Sequence, residues 1–358
     1  MKSFLKYNKG FSLIELLVAL AISAIILAGV VQIFLGSKQA ENLTMSLARL
    51  QESGRFVTDT LSKEFRLAGF QGCIDPNQDF IDATSILANG FSLTDISNQV
   101  IEGGETPTAG GDVSLFSGGV VITDAIGGTD VVSLTYASPS YEELDSDMTT
   151  PSSDIVITDN STGFAQNDIL LITNCSGGGS FIFKATSVGS GTPPITITHT
   201  TTSNSSDAFG TTVFFEDDRV QRIANNTYYI RLNPRGIRSL YRRSFNGTVE
   251  ELIEGVENLQ IQYGHYDDKG TANSSDDSLR WVTAADINGS ASLEWRNVVS
   301  MKAAVLISDD IDVLAENGPA TYAMLDANVA PVSADKKLRR VFSTSAKVRN
   351  RDGKRIAQ

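Results

Sequence analysis

Residues 10–35 read GFSLIELLVALAISAIILAGVVQIFL, and this stretch decides the fold of the chain. In the 25 positions that follow Gly10, the only charged residue is Glu15. A helix of that length spans about 37 Å at 1.5 Å per residue, which exceeds the ~30 Å of bilayer hydrocarbon. The sequence therefore predicts a transmembrane helix over residues 11–36.

The flanks of this stretch predict its orientation. Lys2, Lys6 and Lys9 lie just ahead of the apolar run. A short basic segment before a transmembrane helix stays on the cytoplasmic side. We therefore expect a single pass through the inner membrane, with the rest of the chain in the periplasm if the cell is bacterial.

Glu15 has two interpretations. A carboxylate within a transmembrane helix costs a few kcal/mol and marks a functional partner. Alternatively, a glutamate near a helix end extends its carboxylate to the headgroups. The context favours the first interpretation, because residues 10–17, GFSLIELL, resemble the class III signal of type IV pilins and pseudopilins, a short basic leader followed by G-F-T/S-L-I/L-E.

This resemblance implies a sequence of events. A prepilin peptidase would cleave after Gly10, remove residues 1–10 as a leader and methylate the new amine of Phe11. An α-amine is mostly cationic at neutral pH, so a carboxylate can neutralise it. In a filament, Glu15 of one subunit would pair with the Phe11 amine of its neighbour, which fixes the register in which the helices stack.

The helical pattern continues beyond the apolar run. Apolar or small residues recur at spacings of three and four from Leu43 to Ala68, with charged residues between them, which is typical of an amphipathic helix. We predict one helix from about 11 to about 67, ended by Gly69 and Gly72. The expected segments are a leader (1–10), a transmembrane and filament-core helix (11–36), its amphipathic continuation (37–72) and a periplasmic β-rich head (73–358).

The head has the composition of a β domain, so the predicted fold class is α+β, a long helix packed on a large β-rich head. Short runs rich in Val, Ile, Thr and Phe are bounded by turn residues; they are residues 120–123, 131–135, 154–158, 169–173, 181–185, 195–198, 213–215, 219–224, 228–232, 237–241, 259–263, 298–308 and 338–348. Residues 225–227 are interpreted as a hairpin turn and residues 250–256 as a short helix or loop. Residues 141–153 and 200–208 are predicted to be mobile.

Several segments of the second half resemble the PilW family of minor pilins. They are residues 240–242 (LYR), 251–264 (ELIEGVENLQIQYG), 295–299 (WRNVV), and 338–342 with 348–351 (LRRVF and VRNR). Together with the N-terminal signal they cover about a third of the chain, in the order of the family. Residues 74–215 match nothing residue by residue.

Composition bounds the partners of the chain. The formal charge of the 358 residues is −13, or −16 once the leader lysines are removed. A chain this acidic is a poor general binder of nucleic acid. The opposing basic segment, 336–355, has three interpretations: alternation along an exposed strand end, a contact within an assembly, or a site for nucleic acid.

The two cysteines, Cys73 and Cys175, are the only ones in the chain. An even count in an exported protein predicts one disulfide, which would tie the end of the helix to the head. The alternative is two separate buried thiols.

No residue pattern predicts catalysis, a cofactor or a metal site. The only histidines are His199 and His265, and a zinc site needs three or four ligands. The sequence contains no G-x-S-x-G and no phosphate loop. Four aspartates crowd one loop without the spacing of a calcium site, which indicates a solvated insertion; they are Asp267, Asp268, Asp276 and Asp277.

The function implied by the resemblance is that of a minor pilin that primes type IV pilus assembly and ends at or near the tip, without catalytic activity. Its partners would be other minor pilins, the major pilin, prepilin peptidase, the inner-membrane assembly platform and a PilY-type tip adhesin. The alternative within the same architecture is a J-type minor pseudopilin of type II secretion. A membrane-tethered enzyme and a DNA-uptake receptor are rivals from other classes.

Overall fold

The computed structural model describes residues 11–73, 84–85, 100–108, 110–116, 120–176, 179–244, 246–267, 278–290 and 292–350. Over these ranges the chain forms one long helix followed by a head of mostly antiparallel strands. The predicted class, α+β with a long N-terminal helix and a β-rich head, is confirmed.

Helix α1 spans Leu13–Leu67 without interruption, 55 residues in all. It starts at Ser12, whose side chain accepts a hydrogen bond from the Glu15 N–H. It ends at Ala68 because Gly69 follows with φ +76°, a left-handed conformation that glycine adopts without penalty. The single helix agrees with the sequence interpretation, whereas the boundary between its transmembrane and amphipathic parts stays a prediction.

Among the described residues, α1 is the one helix long and apolar enough to cross a membrane by length and composition. Every residue from 11 to 41 is exposed, so this part of α1 makes no buried contact with the head. The buried residues of α1 begin at Ser46 and continue to Phe65. The helix is therefore divided into a free apolar half and a half that packs on the head.

The strands follow in chain order. The first ten are β1 Thr84–Ser85, β2 Ile101–Glu105, β3 Val113–Leu115, β4 Val120–Ile122, β5 Asp130–Glu143, β6 Ile155–Ile157, β7 Ile169–Thr173, β8 Ser180–Lys184, β9 Ser187–Val188 and β10 Ile195–Thr198. The others are β11 Arg219–Leu232, β12 Arg238–Ser244, β13 Val249–Glu254, β14 Val256–Asp267, β15 Ser278–Val282, β16 Val298–Asp312, β17 Tyr322–Met324, β18 Ala327–Val329 and β19 Lys337–Lys347. A short helix, α2 Ala284–Asn288, and a 3₁₀ turn, Trp295–Asn297, lie between β15 and β16.

Two sheets form the body of the head. The first has eight strands, in the order β1-β8-β7-β11-β12-β13, with β5 beside β11 and β2 beside β5. The second has the order β15-β14-β16-β19. Asp130 at the start of β5 accepts a hydrogen bond from the Ile261 N–H of β14 at 2.6 Å, which joins the two sheets.

Strand β11 corrects one prediction. Residues 225–227 are not a hairpin turn, because β11 runs straight through them and pairs with β5 and β12. The asparagines find partners across the sheet: Asn225 Nδ2 donates to Thr135 Oγ1 at 2.7 Å, and Asn226 Nδ2 donates to the Tyr136 hydroxyl at 2.9 Å. Tertiary hydrogen bonds outweigh the turn preference of asparagine here.

Strand β13 corrects a second prediction, since most of residues 250–256 is a strand rather than a helix or loop. Its carboxylates lie on an exposed strand that pairs with β12, where Arg242 Nη2 binds Glu250 at 2.7 Å. Gly255 then separates β13 from β14 with φ +82°. A side chain there would also collide with the Ser308 carbonyl oxygen, 2.6 Å from the Cβ position, so the junction requires glycine.

The second sheet lies between two layers. One face carries Ala303, Val305 and Ile307, which belong to the main core with the buried side of α1. The other face carries Ala304 and Leu306, which pack with the hairpin of β17 and β18. Successive side chains of β16 point to opposite faces of the sheet. Its long apolar run, predicted as a central strand, therefore packs against a layer on each side.

Residues 142–218 form a unit that we call the lobe, and this unit has a second hydrophobic core. It includes buried Phe164, Phe183 and Phe209, and its own sheet has the order β6-β10-β9. Residues 213–215 are not a strand as predicted: Phe214 is buried in this core from irregular backbone. Residues 141–143, predicted to be mobile, belong to β5.

Candidate functional site

The free half of α1 exposes a continuous apolar surface. Phe11 is 88% exposed, and leucine, isoleucine and valine side chains remain exposed from Leu13 to Leu35. Soluble monomers rarely expose so large an apolar area, which marks a membrane or protein interface. Gly10, the predicted cleavage point, lies outside the described residues.

Glu15 lies at the N-terminus of α1 within a capping box. Its Oε2 accepts hydrogen bonds from the Ser12 N–H at 3.0 Å and from the Ser12 Oγ at 3.1 Å, while its own N–H donates to Ser12 Oγ at 3.3 Å. The spacing Ser-x-x-Glu is a readable signal of this cap, which the sequence interpretation missed. The carboxylate is therefore held at the same end of the helix as Phe11.

The other half of α1 packs on β16 and β19. Leu50, Val57, Leu61 and Phe65 are almost completely buried on this side. Gly54 lies directly against the ring of Phe342 in β19, and a Cβ atom at position 54 would overlap that ring. The glycine thus allows the helix to approach the sheet closely.

A buried polar cluster fixes the end of α1 to the first sheet. The Tyr136 hydroxyl lies within hydrogen-bond distance of both carboxylate oxygens of Glu64, at 3.0 and 2.9 Å, and Asn226 Nδ2 donates to one of them at 3.3 Å. Burial, followed by the Glu64 charge, raises the pKa of Tyr136 and of Tyr228 above the usual range. Both hydroxyls therefore stay protonated and can serve as donors.

Asn350 caps the C-terminal end of α1. Its Nδ2 lies 3.4, 3.4 and 3.2 Å from the carbonyl oxygens of Arg66, Leu67 and Ala68. These carbonyls have no partner within the helix, because the last turn always leaves such groups free. The end of the described chain thus returns to the end of the helix.

A disulfide joins Cys73 to Cys175, with 5.3 Å between their Cα atoms. It connects the segment after α1 with the loop after β7 in the lobe. Cys175 is positioned further by its N–H, which donates to Asp218 Oδ1 at 2.8 Å. The expectation of a disulfide is confirmed, and the alternative of two free thiols is wrong.

The two histidines lie in different parts of the head. His199 Nε2 lies 2.9 Å from the Ser153 carbonyl oxygen in the lobe, and His265 Nε2 in β14 accepts the Glu294 N–H at 3.2 Å. Within the described ranges, no group of three His, Cys, Asp or Glu side chains could hold a metal ion. Of the four loop aspartates, all but Asp267 lie outside those ranges.

The basic segment divides into an internal part and an exposed part. The Arg339 side chain is 1% exposed; its Nε binds Glu257 at 2.8 Å, and its two terminal nitrogens bind Asp335 at 2.5 and 3.0 Å. The Arg339 hydrogen bonds hold the pKa of Asp335 far below its usual value. Arg339 is therefore a structural cation rather than part of an exposed alternation, whereas Lys336, Arg340, Lys347 and Arg349 are exposed.

Two known families match parts of the chain. The family described as Type IV Pilus-assembly protein W matches residues 227–350, and the Prokaryotic N-terminal methylation motif matches residues 5–31. The first match includes the second sheet and Asn350, and the second includes Glu15 and the start of the apolar surface. No curated protein and no solved structure matches the chain.

Proposed function

We propose that this chain, which is a type IV pilin-like minor pilin, primes pilus assembly and ends at or near the pilus tip. The observation that carries the proposal is the free apolar half of α1, with Glu15 at its start, extending from a head that holds its other half rigidly. Such a helix can leave a bilayer only for another apolar environment. A bundle of similar helices provides that environment.

Before assembly the free half anchors the chain in the inner membrane. Prepilin peptidase removes residues 1–10 by cleaving between Gly10 and Phe11, and the amine of Phe11 is then methylated. The leader end faces the cytoplasm and the head faces the periplasm, as the lysines before Gly10 favour. After assembly the head lies on the cell surface with the pilus.

Glu15 sets the register of assembly. Its carboxylate is held at the helix start, close to the position of a processed amine. Two opposite charges are costly in an apolar environment unless they are paired. A neighbouring subunit therefore stacks where its Phe11 amine meets this carboxylate.

The partners follow from membership of a pilus-assembly family, which implies contacts with other pilins and with the assembly machinery. We propose that the chain joins other minor pilins and the major pilin through the inner-membrane platform. The large head, enlarged by the lobe, suits the end of a helical stack better than its shaft, which supports a tip position beneath a PilY-type adhesin.

The role proposed is structural, without a catalytic step. Pilin-family domains are structural proteins. Apolar packing joins α1 to the sheets of the head. The alternative, a J-type pseudopilin of type II secretion, has the same helix. The Pilus-assembly protein W match over residues 227–350 favours the pilus.

The test is to delete the gene that encodes this chain and count surface pili. The gene is then restored with an epitope tag after residue 358, and the tag is located on sheared pili by immunogold labelling. We expect fewer pili in the deletion strain and label at one filament end. A cleavage-blocked variant, Gly10→Phe, is the negative control. Label distributed along the shaft would contradict the tip position, and co-purification with secretion components alone would favour the pseudopilin.

A further inference from the structure

A cleft of about 350 Å³ lies where α1 meets the head. Its walls come from α1, from the junction of β13 with β14 and from the adjoining ends of β16 and β19. The charged groups at these walls are four carboxylates and two cations, namely Glu52, Glu254, Asp309, Asp310, Arg49 and Lys337. The excess of negative charge indicates a cationic occupant.

Asp309 is the buried member of this set. Its side chain is 6% exposed, and its Oδ1 accepts the Asp310 N–H at 2.9 Å. Its Oδ2 makes no well-formed hydrogen bond; the Ser46 hydroxyl on α1 lies close to Asp309 but also lacks a partner of good geometry. A buried acceptor without a well-aligned donor is destabilising, and more so when it is charged.

Asp309 is nevertheless ionised at neutral pH. Burial acts to raise its pKa, but the Ser46 hydroxyl, Asp310 and the charge of Arg49 together bring the pKa below its usual value. The Asp309 carboxylate thus carries a full negative charge, and its oxygens can accept further hydrogen bonds.

Arg49 does not use the remaining hydrogen-bonding capacity of the aspartates. Arg49 Nη1 lies 3.7 Å from Asp309 Oδ1 and 3.9 Å from Asp310 Oδ1, beyond the 2.7–2.9 Å of a charge-assisted hydrogen bond. Glu254, by contrast, is bound by Arg235 and by Asn233. The two adjacent aspartates, together with the exposed Glu52 of α1, are therefore the acceptors that remain for an external group.

We propose that this cleft receives a lysine or arginine side chain of a different pilin subunit that lies beside this chain in the filament, with Asp309 and Asp310 as its acceptors. The inference rests on the proposed function. A long basic side chain carries several N–H donors on one flexible stem and can enter a narrow cleft. A hard metal cation would need six or more oxygen ligands, and the described residues supply no such group.

The position of the cleft fits a neighbouring pilin. It opens beside residues 49–53 of α1, about 20 Å along the helix from residue 36 at 1.5 Å per residue. If the free halves of adjacent helices stack, the chains beside them pass the underside of the head at this height. Binding there would fix the rotation of the head relative to its neighbour.

The test places a photo-activatable amino acid at Ser53, which lines the cleft, in the full chain within piliated cells. We expect a cross-link to a different pilin, at a peptide that contains lysine or arginine. In the double variant Asp309→Asn, Asp310→Asn this adduct should fall at least fivefold. The matched control is Asp312→Asn, an exposed carboxylate of the same strand that does not line the cleft.

Two measurements separate the outcomes. Disulfide formation and protease resistance show whether the double variant folds, and immunoblots of sheared pili show whether the chain is incorporated. An unchanged adduct in the folded, incorporated variant overturns the inference and leaves the proposed function intact, as do adducts only with a second copy of this chain or with proteins other than pilins. Absence of the unsubstituted chain from pili overturns both.

A charge exchange provides the second variant. Asp310 is 57% exposed, so Asp310→Lys should fold, and it should reduce the adduct as the double variant does. Changing the cross-linked basic residue of the partner to aspartate should then restore the adduct. Failure of this restoration, with both chains present in the pilus, contradicts a direct ion pair.

Discussion

Asp130 is a buried carboxyl at the joint between the two sheets. Burial raises its pKa to about 7, and the nearby carboxylates of Glu105 and Asp326 act in the same direction, against the hydrogen bond from Ile261. In the unfolded chain the group ionises near its ordinary pKa. The folded state therefore binds the extra proton between those two values, and the contribution of Asp130 to stability falls as the pH rises from about 4 to about 7.

We predict that Asp130→Asn flattens this decline and raises the free energy of unfolding at pH 8. Asparagine keeps an oxygen for the Ile261 N–H but carries no charge. Because one pKa unit corresponds to about 1.4 kcal/mol, the gain is of the order of a few kcal/mol. Denaturant unfolding at pH 5 and pH 8 measures it, with exposed Asp112→Asn as the control. Equal slopes with pH in variant and parent would contradict the assignment.

Glu15 has a capping role and a proposed assembly role, which two substitutions separate. Ser12→Ala removes the capping box, worth about 1 kcal/mol, but keeps the carboxylate. Glu15→Gln keeps an acceptor for Ser12 but loses the charge. We expect both variants to insert in the membrane and only Glu15→Gln to be depleted from sheared pili. Depletion of Ser12→Ala to the same extent would mean that the cap, rather than the charge, is what assembly needs.

At this scale the sequence is informative where the signal is local. Glu15 is the one charged residue of an apolar run, and its capping box is formed within four consecutive residues, 12–15. Glu64 is the opposite case, because it looks like one more polar residue of an amphipathic helix. Its partners Tyr136 and Asn226 are 72 and 162 residues away, so only the folded chain shows that it is buried.

The contact between α1 and β19 depends on a missing side chain. Alanine at position 54 would favour the helix by about 1 kcal/mol but would overlap the Phe342 ring. Overpacking of this kind costs about 1–3 kcal/mol. We therefore predict that Gly54→Ala lowers the free energy of unfolding by up to about 2 kcal/mol in denaturant titrations. The control is Gly36→Ala, where nothing lies within 4 Å, and a stabilised Gly54→Ala protein would refute the close contact.

The elements themselves were predictable in proportion to their periodicity. The helix is long and has a regular apolar stripe, so the sequence predicts its extent correctly to Leu67. The predictions for residues 225–227 and 250–256 are wrong because asparagine and glutamate favour turns and exposed positions in isolation. In the sheet their side chains are occupied by Thr135, Tyr136 and Arg242, which local propensity cannot reveal.

For the whole molecule, the disulfide is a covalent link between distant parts of the chain. Cys73 and Cys175 are 102 residues apart, and the chain-entropy model gives about 4–5 kcal/mol for such a loop, although engineered bridges often contribute less. We predict that reduction lowers the melting temperature of the purified chain. The double variant Cys73→Ser, Cys175→Ser should melt at that lower temperature and ignore the reductant. An unchanged melting temperature would show that the bridge does not hold the fold.

The lobe, like the rest of residues 32–226, lies outside both family matches. It holds eleven carboxylates against one lysine, a net charge of −10 of the chain's −13. Its strands are short and its second core is assembled from scattered phenylalanines. Only the packing of its side chains in the folded chain shows that the lobe is a unit, whereas its net negative charge can be calculated from the sequence.

The bridge between Cys73 and Cys175 also limits how far the molecule can stretch. In the proposed pilus, tension would load this subunit between its helix and its head, and the covalent path would then run through the sulfur atoms. The segment between the cysteines, which are 102 positions apart, is bypassed, which at about 3.4 Å per position removes about 350 Å of contour length from any extension. If the head unfolds under force, only the chain that follows Cys175 can therefore extend. The lobe strands that precede Cys175 carry no load while the disulfide is intact.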